Sequence, residues 1–149
     1  PHIQKDLLCI FDKKLFGEIF DKKRLSQIIY NDDIQRQKLE QYIHPKVRKE
    51  INDFKNKHIN EPFIFVEVPL LFETGFNNYF DYSICVYCSE ESRQKRARKR
   101  DNFNLKIYDK IKSIQLPQEK KKDLANFQIN TDLDVEIQIK EIIGKVQSV

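Results

Sequence analysis

Three short apolar runs, separated by stretches of helical periodicity, constrain this chain more than anything else in it. Phe63-Ile64-Phe65-Val66 lies between Pro62 and Pro69. Tyr82 to Tyr87 leads into a polar stretch from Ser89 to Arg100. Phe127-Gln128-Ile129-Asn130 precedes a stripe of Val135, Ile139, Ile142 and Val146. Continuous apolar runs suit strands covered on both faces, and strands joined by helical crossovers make a parallel sheet. The expected class is therefore α/β, an open parallel sheet flanked by helices. A cap at Thr131 or Asp132 would start the last helix, although residues 133 to 139 alternate strictly and leave a strand as the competing reading.

The first sixty residues read as helical. Leu25, Ile28 and Ile29 form a stripe that stops near Asn31-Asp32-Asp33, a natural cap for a second helix running to about Ile43. His44-Pro45 then restarts the chain, since Pro suits the first position of a helix. Val47, Ile51, Phe54 and His58 follow on one face. At 149 residues the chain suits one domain. Its divisions are a helical region over 1–61, core strands and a loop over 62–91, a basic helical segment over 92–125, and a last strand and helix over 126–149.

Charge is segregated along this frame. Residues 93 to 122 hold twelve basic side chains against three acidic ones, a local +9, which leaves −5 for the rest and +4 overall. Such a segment attracts phosphates, on a nucleotide or on nucleic acid. Only three glycines are present, so no Gly-rich phosphate loop can be written from these residues. Cys9, Cys85 and Cys88 are too few and too scattered for a disulfide framework or a zinc site, and Cys85 and Cys88 read as buried thiols near a strand. No Gly-x-Ser-x-Gly elbow supports a nucleophile triad. No apolar run approaches the roughly 18 residues of a membrane span and no basic-then-apolar leader is visible, so the expectation is a soluble cytoplasmic protein.

Two stretches could carry chemistry. In open α/β sheets ligands bind beyond the carboxyl ends of strands, which points first to Glu67-Val68-Pro69-Leu70-Leu71-Phe72-Glu73-Thr74-Gly75. Glu67 could orient a substrate hydroxyl or a metal-bound water, with Leu70, Leu71 and Phe72 walling a pocket. The plainer reading is a solvated Glu and a hydrophobic loop packed on the core. The second stretch is Ser92 to Asp101. On a continuous helix Arg93, Arg96 and Arg100 share a face and could grip a polyphosphate, as phosphoryl transfer requires. A solvated basic face and a nucleic-acid patch compete with it; the absence of aromatics between Arg93 and Arg100 weakens the latter.

The order of these pieces resembles the dephospho-CoA kinase family. The resemblance is carried by Leu39-Glu40-Gln41-Tyr42-Ile43-His44-Pro45, by Val66-Glu67-Val68-Pro69-Leu70-Leu71-Phe72-Glu73, and by Lys95 to Asp101. Gln115-Leu116-Pro117-Gln118-Glu119-Lys120-Lys121 and Ala125 to Thr131 continue it. It implies a P-loop-kinase-like fold and ATP- and magnesium-dependent phosphorylation of the ribose 3′-hydroxyl of dephospho-CoA, the last step of coenzyme A synthesis. The partners implied are ATP and dephospho-CoA, with no nucleic acid and no membrane.

Site roles follow from the same resemblance. His44, Glu67, Pro69, Leu70, Leu71, Phe72 and Glu73 look like the acceptor side, and Gln115, in the lid region, looks like a further substrate contact. Arg96 and Arg100 look like catalytic lid residues over the ATP phosphates. Lys121 belongs to the same lid region, while Asn130 and Thr131 look like the adenine loop; no metal ligand is assigned. Many relatives read Asp-Asn at that loop and Asp-Tyr-Val-Ile before it, where this chain has Asn130-Thr131 and Asn126-Phe127-Gln128-Ile129. The family's G-x-x-x-x-G-K-[ST] loop and catalytic Asp are expected upstream of Pro1, and the residues from Pro1 onward are expected to be inactive by themselves. A non-catalytic CoA- or nucleotide-binding module is the alternative, with a basic nucleic-acid-binding domain behind it.

Overall fold

The computed structural model describes residues 6, 7, 9–11, 21–101 and 103–148, and they fall into two compact units, residues 1–67 and 68–149. In the first unit, helix α1 (Lys22–Asn31) begins where the Asp21 carboxylate accepts from the amides of Lys23 and Arg24, at 2.8 and 3.4 Å. Asp32 plays the same part for helix α2 (Asp33–Lys57), accepting from Ile34 and Gln35. Each cap satisfies amides that the first helical turn leaves without partners. Leu25, Ile28 and Ile29 of α1 and Leu39 and Tyr42 of α2 pack around Leu7 and the fully buried Phe11.

Two expectations fail in this unit. Helix α2 does not stop at Ile43; it continues through Pro45 for 25 residues. Proline removes one amide and crowds the carbonyl four residues back. That carbonyl belongs to Gln41, an exposed residue, where water can serve it. Apolar contacts on both sides of Pro45, at Tyr42 and at the buried Ile51, hold the helix together. The run Phe63–Val66 carries no strand, and Phe65 is 68% exposed. Strand character depends on a partner ladder, and this run has none among the described residues.

The second unit is built on two parallel strands, β1 (Ile84–Tyr87) and β2 (Phe127–Asn130), in the register Ile84↔Phe127 to Tyr87↔Asn130. Cys85 and Ile129 are buried within this pair. The Asn126 side-chain oxygen accepts from both the amide and the hydroxyl of buried Ser83, each at 2.9 Å, and sets the start of the register. Helix α3 (Glu90–Arg98) follows β1 behind a Ser89 cap. Helices α4 (Leu105–Ile114) and α5 (Gln118–Leu124) lead back to β2, and α6 (Val135–Gln147) follows it. The cap of α6 is Asp134, which accepts from the Ile137 amide, rather than Thr131 or Asp132; both of these are occupied at the sheet edge. Gln138 decides helix over strand there, because its amide bridges the Asn130 backbone and the Asp134 carbonyl.

Ahead of β1, residues 70 to 75 form a closed turn. The Phe76 amide donates to the Leu71 carbonyl at 2.9 Å and the Gly75 amide to that of Phe72 at 3.2 Å. This is a Schellman closure, and Gly75 supplies its left-handed residue at φ 67°. Thr74 adds a hydroxyl bond to the Leu70 carbonyl at 2.6 Å, while Phe76 anchors the turn by burial. The turn presents Glu73 at a fixed angle.

Candidate functional site

The carboxyl edge of a parallel pair exposes the last carbonyls and the loops that follow, so ligands gather there. Here Tyr87 and Asn130 end the strands side by side, followed by Cys88-Ser89 and Thr131-Asp132. The two loops lock together through side chains. The Thr131 amide and hydroxyl both donate to the Tyr87 carbonyl, at 2.8 and 3.2 Å. Asp132 accepts from the Ser89 amide at 2.7 Å, and the hydrogen bonds from Ser89 and Ser92 hold its carboxyl below the usual range. Arg96, one helical turn into the basic segment, reaches this joint. Its guanidinium donates to the Thr131 hydroxyl at 2.6 Å and the Thr131 carbonyl at 3.0 Å, with Asp132 at 3.6 Å.

A recess of about 260 Å³ opens beside that joint, bounded by the last residues of β1, by Arg93 and Arg96, by Gln115 and Lys121, and by Thr131. Four of the residues named from the sequence (Arg96, Gln115, Lys121 and Thr131) therefore meet in one place. Arg93, which the sequence had placed on a shared arginine face, lines it as well. The face itself does not form. Helix α3 ends at Arg98, so Arg100 lies beyond it and is exposed, and Arg93 is taken up by Glu90. Glu90 also accepts from Gln94, Tyr108 and Lys112 at 3.1, 3.2 and 3.0 Å. The Arg93 guanidinium first, then the hydrogen bonds from Gln94 and Lys112, outweigh burial and pull its carboxyl down to about 2. Glu90 is thus the post that joins α3 to α4.

On the opposite wall, Lys121 extends to Glu73, with 2.8 Å between Nζ and Oε1. The same Oε1 accepts from the Leu116 amide at 2.9 Å. Burial pushes the Glu73 carboxyl up, but the Lys121 hydrogen bond, its own backbone amide and the Leu116 amide outweigh that and hold it low. Sequence reading named both residues and missed that they face each other. The only signal for the pairing was opposite charge, and a chain with 34% charged residues offers many such matches.

Other candidates lie elsewhere. Asn130 turns its side chain inward to accept from the Asp132 amide at 3.0 Å, shaping the loop. Pro69 is exposed and Leu70, Leu71 and Phe72 are half-buried in the closed turn. In the first unit, His44 sits half-buried on α2. Glu67 is exposed at the rim of a groove lined by Val47, Ile51, Phe54 and Phe65, which absorbs the face read from the sequence. Cys85 and Cys88 are buried, and burial pushes the Cys85 thiol up, so it is a packing group rather than a nucleophile. Among the described residues no three His, Cys, Asp or Glu side chains gather as metal ligands, and no helix is long and apolar enough to cross a membrane.

A parallel pair with guanidinium, ammonium, amide and hydroxyl groups converging at its carboxyl edge suits a polyphosphate, and the solved structures that superpose on the chain make the fold P-loop-kinase-like α/β. Solved structures agree on the fold. A Thermus thermophilus protein superposes with a TM-score of 0.79 at 22% identity, over 99% of this chain and 76% of that one. A dephospho-CoA kinase from Campylobacter jejuni gives 0.57 at 27% identity, over 98% and 74%. The dephospho-CoA kinase family model matches residues 5–136. Dephospho-CoA kinases of Rickettsia bellii and Rickettsia typhi are each 43% identical, over 87% and 90% of this chain and 70% and 73% of their own lengths. The chain belongs to the dephospho-CoA kinase family, enzymes that phosphorylate dephospho-CoA with ATP in coenzyme A biosynthesis.

Proposed function

We propose that the recess between Arg93, Arg96, Gln115, Lys121 and Thr131 receives the phosphates of ATP while its γ-phosphoryl group passes to the ribose 3′-hydroxyl of dephospho-CoA. The observation that carries this reading is the convergence of three cationic side chains at the carboxyl edge of β1 and β2. Charge spreads over the transferred group's oxygens in the transition state, and fixed cations stabilise it without reorganising. Arg96 is the pivot: its bonds to Thr131 preorganise a guanidinium beside the space the phosphates occupy. Arg100, unencumbered by the α3 helix, is the second lid arginine. Asn130 and Thr131 contact the nucleotide base through the loop they shape. Pro69, Leu70, Leu71 and Phe72 contact dephospho-CoA from the loop of the second unit. Magnesium would accompany the ATP phosphates, as phosphoryl transfer of this kind requires. Both substrates are water-soluble, which supports a cytoplasmic enzyme.

The test uses the full-length protein with ATP, magnesium and dephospho-CoA, and detects CoA by mass spectrometry. ATP-dependent CoA formation is expected, reduced by Arg96→Ala and by Arg100→Ala. Undiminished turnover in both variants would remove the recess from the reaction.

A further inference from the structure

Glu73 sits in the loop read as acceptor-binding, yet its carboxylate has no face to offer an acceptor. Oε1 is shared between the Lys121 ammonium at 2.8 Å and the Leu116 amide at 2.9 Å. Oε2 is buried with no hydrogen-bond partner. The side chains of Glu73 and Lys121 are only 15% and 19% exposed, so the contact is shielded from water. Both residues it grips have a place in the recess: Lys121 and Leu116 line it, with Gln115 beside them. The turn that carries Glu73 is closed on itself by Gly75 and Thr74, which makes it a rigid mount.

A lysine stem has four rotatable bonds, and an ammonium useful to a phosphate must be held near it before the nucleotide arrives. We infer that Glu73 is a positioning residue for this phosphoryl transfer, holding Lys121 and the Gln115–Leu116 backbone against the recess from the 68–75 loop. The inference rests on the recess being the phosphate pocket. It separates two jobs inside one motif: the apolar residues Leu70, Leu71 and Phe72 remain available to the acceptor, whereas Glu73 serves the nucleotide side. The carboxylate restricts the reach of the Lys121 ammonium, 2.8 Å from Oε1.

Steady-state kinetics of the full-length enzyme, with ATP and dephospho-CoA varied separately, distinguishes positioning from substrate contact. Glu73→Gln keeps the side-chain volume and a carbonyl for the Leu116 amide but removes the charge. It should raise the KM for ATP on the order of tenfold, the usual consequence of losing a charged hydrogen bond, with the KM for dephospho-CoA unchanged. Lys121→Met should give the same split, and the double variant should be no worse than Lys121→Met alone. If Lys121→Met raises the KM for ATP and Glu73→Gln does not, the positioning role is wrong while the pocket reading survives. A rise in the KM for dephospho-CoA instead would make Glu73 an acceptor contact and overturn the inference. Unchanged KM for ATP in both Lys121→Met and Arg96→Ala would remove the phosphate pocket and the inference with it. Should Glu73→Gln not fold, Lys121→Met against Glu73→Asp, which keeps the charge and shortens its reach, reads the same split.

Discussion

Lys121 Nζ lies 2.8 Å from Glu73 Oε1, so the helix at the end of the basic segment is pinned to the turn that precedes β1. Neither residue's local sequence asks for the other. The pair exists because the chain returns α5 alongside β1, where the turn before the strand is waiting.

Removing one partner of such a shielded pair leaves a charge without compensation. Lys121→Met is expected to destabilise the folded protein by about 2 kcal/mol or more, whereas the double replacement Glu73→Gln with Lys121→Met should recover part of it. Chemical denaturation of the three variants checks this. Additive losses would mean that the two side chains do not interact.

Acid should act through Glu90 and Glu73, both held below their ordinary values, Glu90 to about 2 from 4.5. A depressed carboxyl contributes stability that is present above the unfolded value and lost as pH falls through the folded one. The melting temperature should therefore decline from about pH 4.5 toward pH 2, and Glu90→Gln should flatten that decline. Parallel pH curves for the two proteins would contradict the assignment.

Asn126 is the register pin of the sheet, since one oxygen serves two donors on buried Ser83. Asn126→Ala strands a buried amide and a buried hydroxyl and should cost about 2 kcal/mol; Asn126→Asp, which keeps the acceptor, should cost less. Thermal melts rank the two, and equal losses would place the effect elsewhere.

Pro45 interrupts the hydrogen-bond ladder of α2 without ending it. Pro45→Ala restores the bond to the Gln41 carbonyl. It should raise stability by about 1 to 2 kcal/mol, less than the full proline penalty of about 3 because proline also restricts the unfolded chain. Hydrogen exchange at residues 41 to 49 would slow. A fall in stability would show that the helix depends on the proline ring for packing.

Arg96→Ala should lower kcat/KM by two to three powers of ten, roughly 3 to 4 kcal/mol, as losing a preorganised phosphate contact does. Thr131→Val leaves the guanidinium but removes the hydroxyl that holds it. The expected loss is about 1 kcal/mol. A larger loss in Thr131→Val than in Arg96→Ala would reverse their roles.

Much of the architecture is written in local pattern. The Phe127–Asn130 strand, the Asp32 cap between α1 and α2, and the start of α3 behind Ser89 follow from short-range chemistry, and they stand where the residues placed them. The motif order was enough to name the family, because a series of spaced motifs is far more specific than any one of them. Local pattern failed where a distant partner decided the outcome. Residues 63–66 look like a strand, but pairing is not a property of a segment. Helix α2 passes Pro45 because side chains on both sides of it are packed. Composition alone marked residues 93 to 122 as the strongly basic segment of the chain. Only the tertiary structure decided which of its cations reach the recess: Glu90 engages Arg93, Glu73 engages Lys121, Thr131 orients Arg96, and the end of α3 releases Arg100. The physical reason is range. Hydrophobic period and helix caps act over a few residues, whereas an ion pair is made by whichever opposite charge the folded chain brings within about 4 Å.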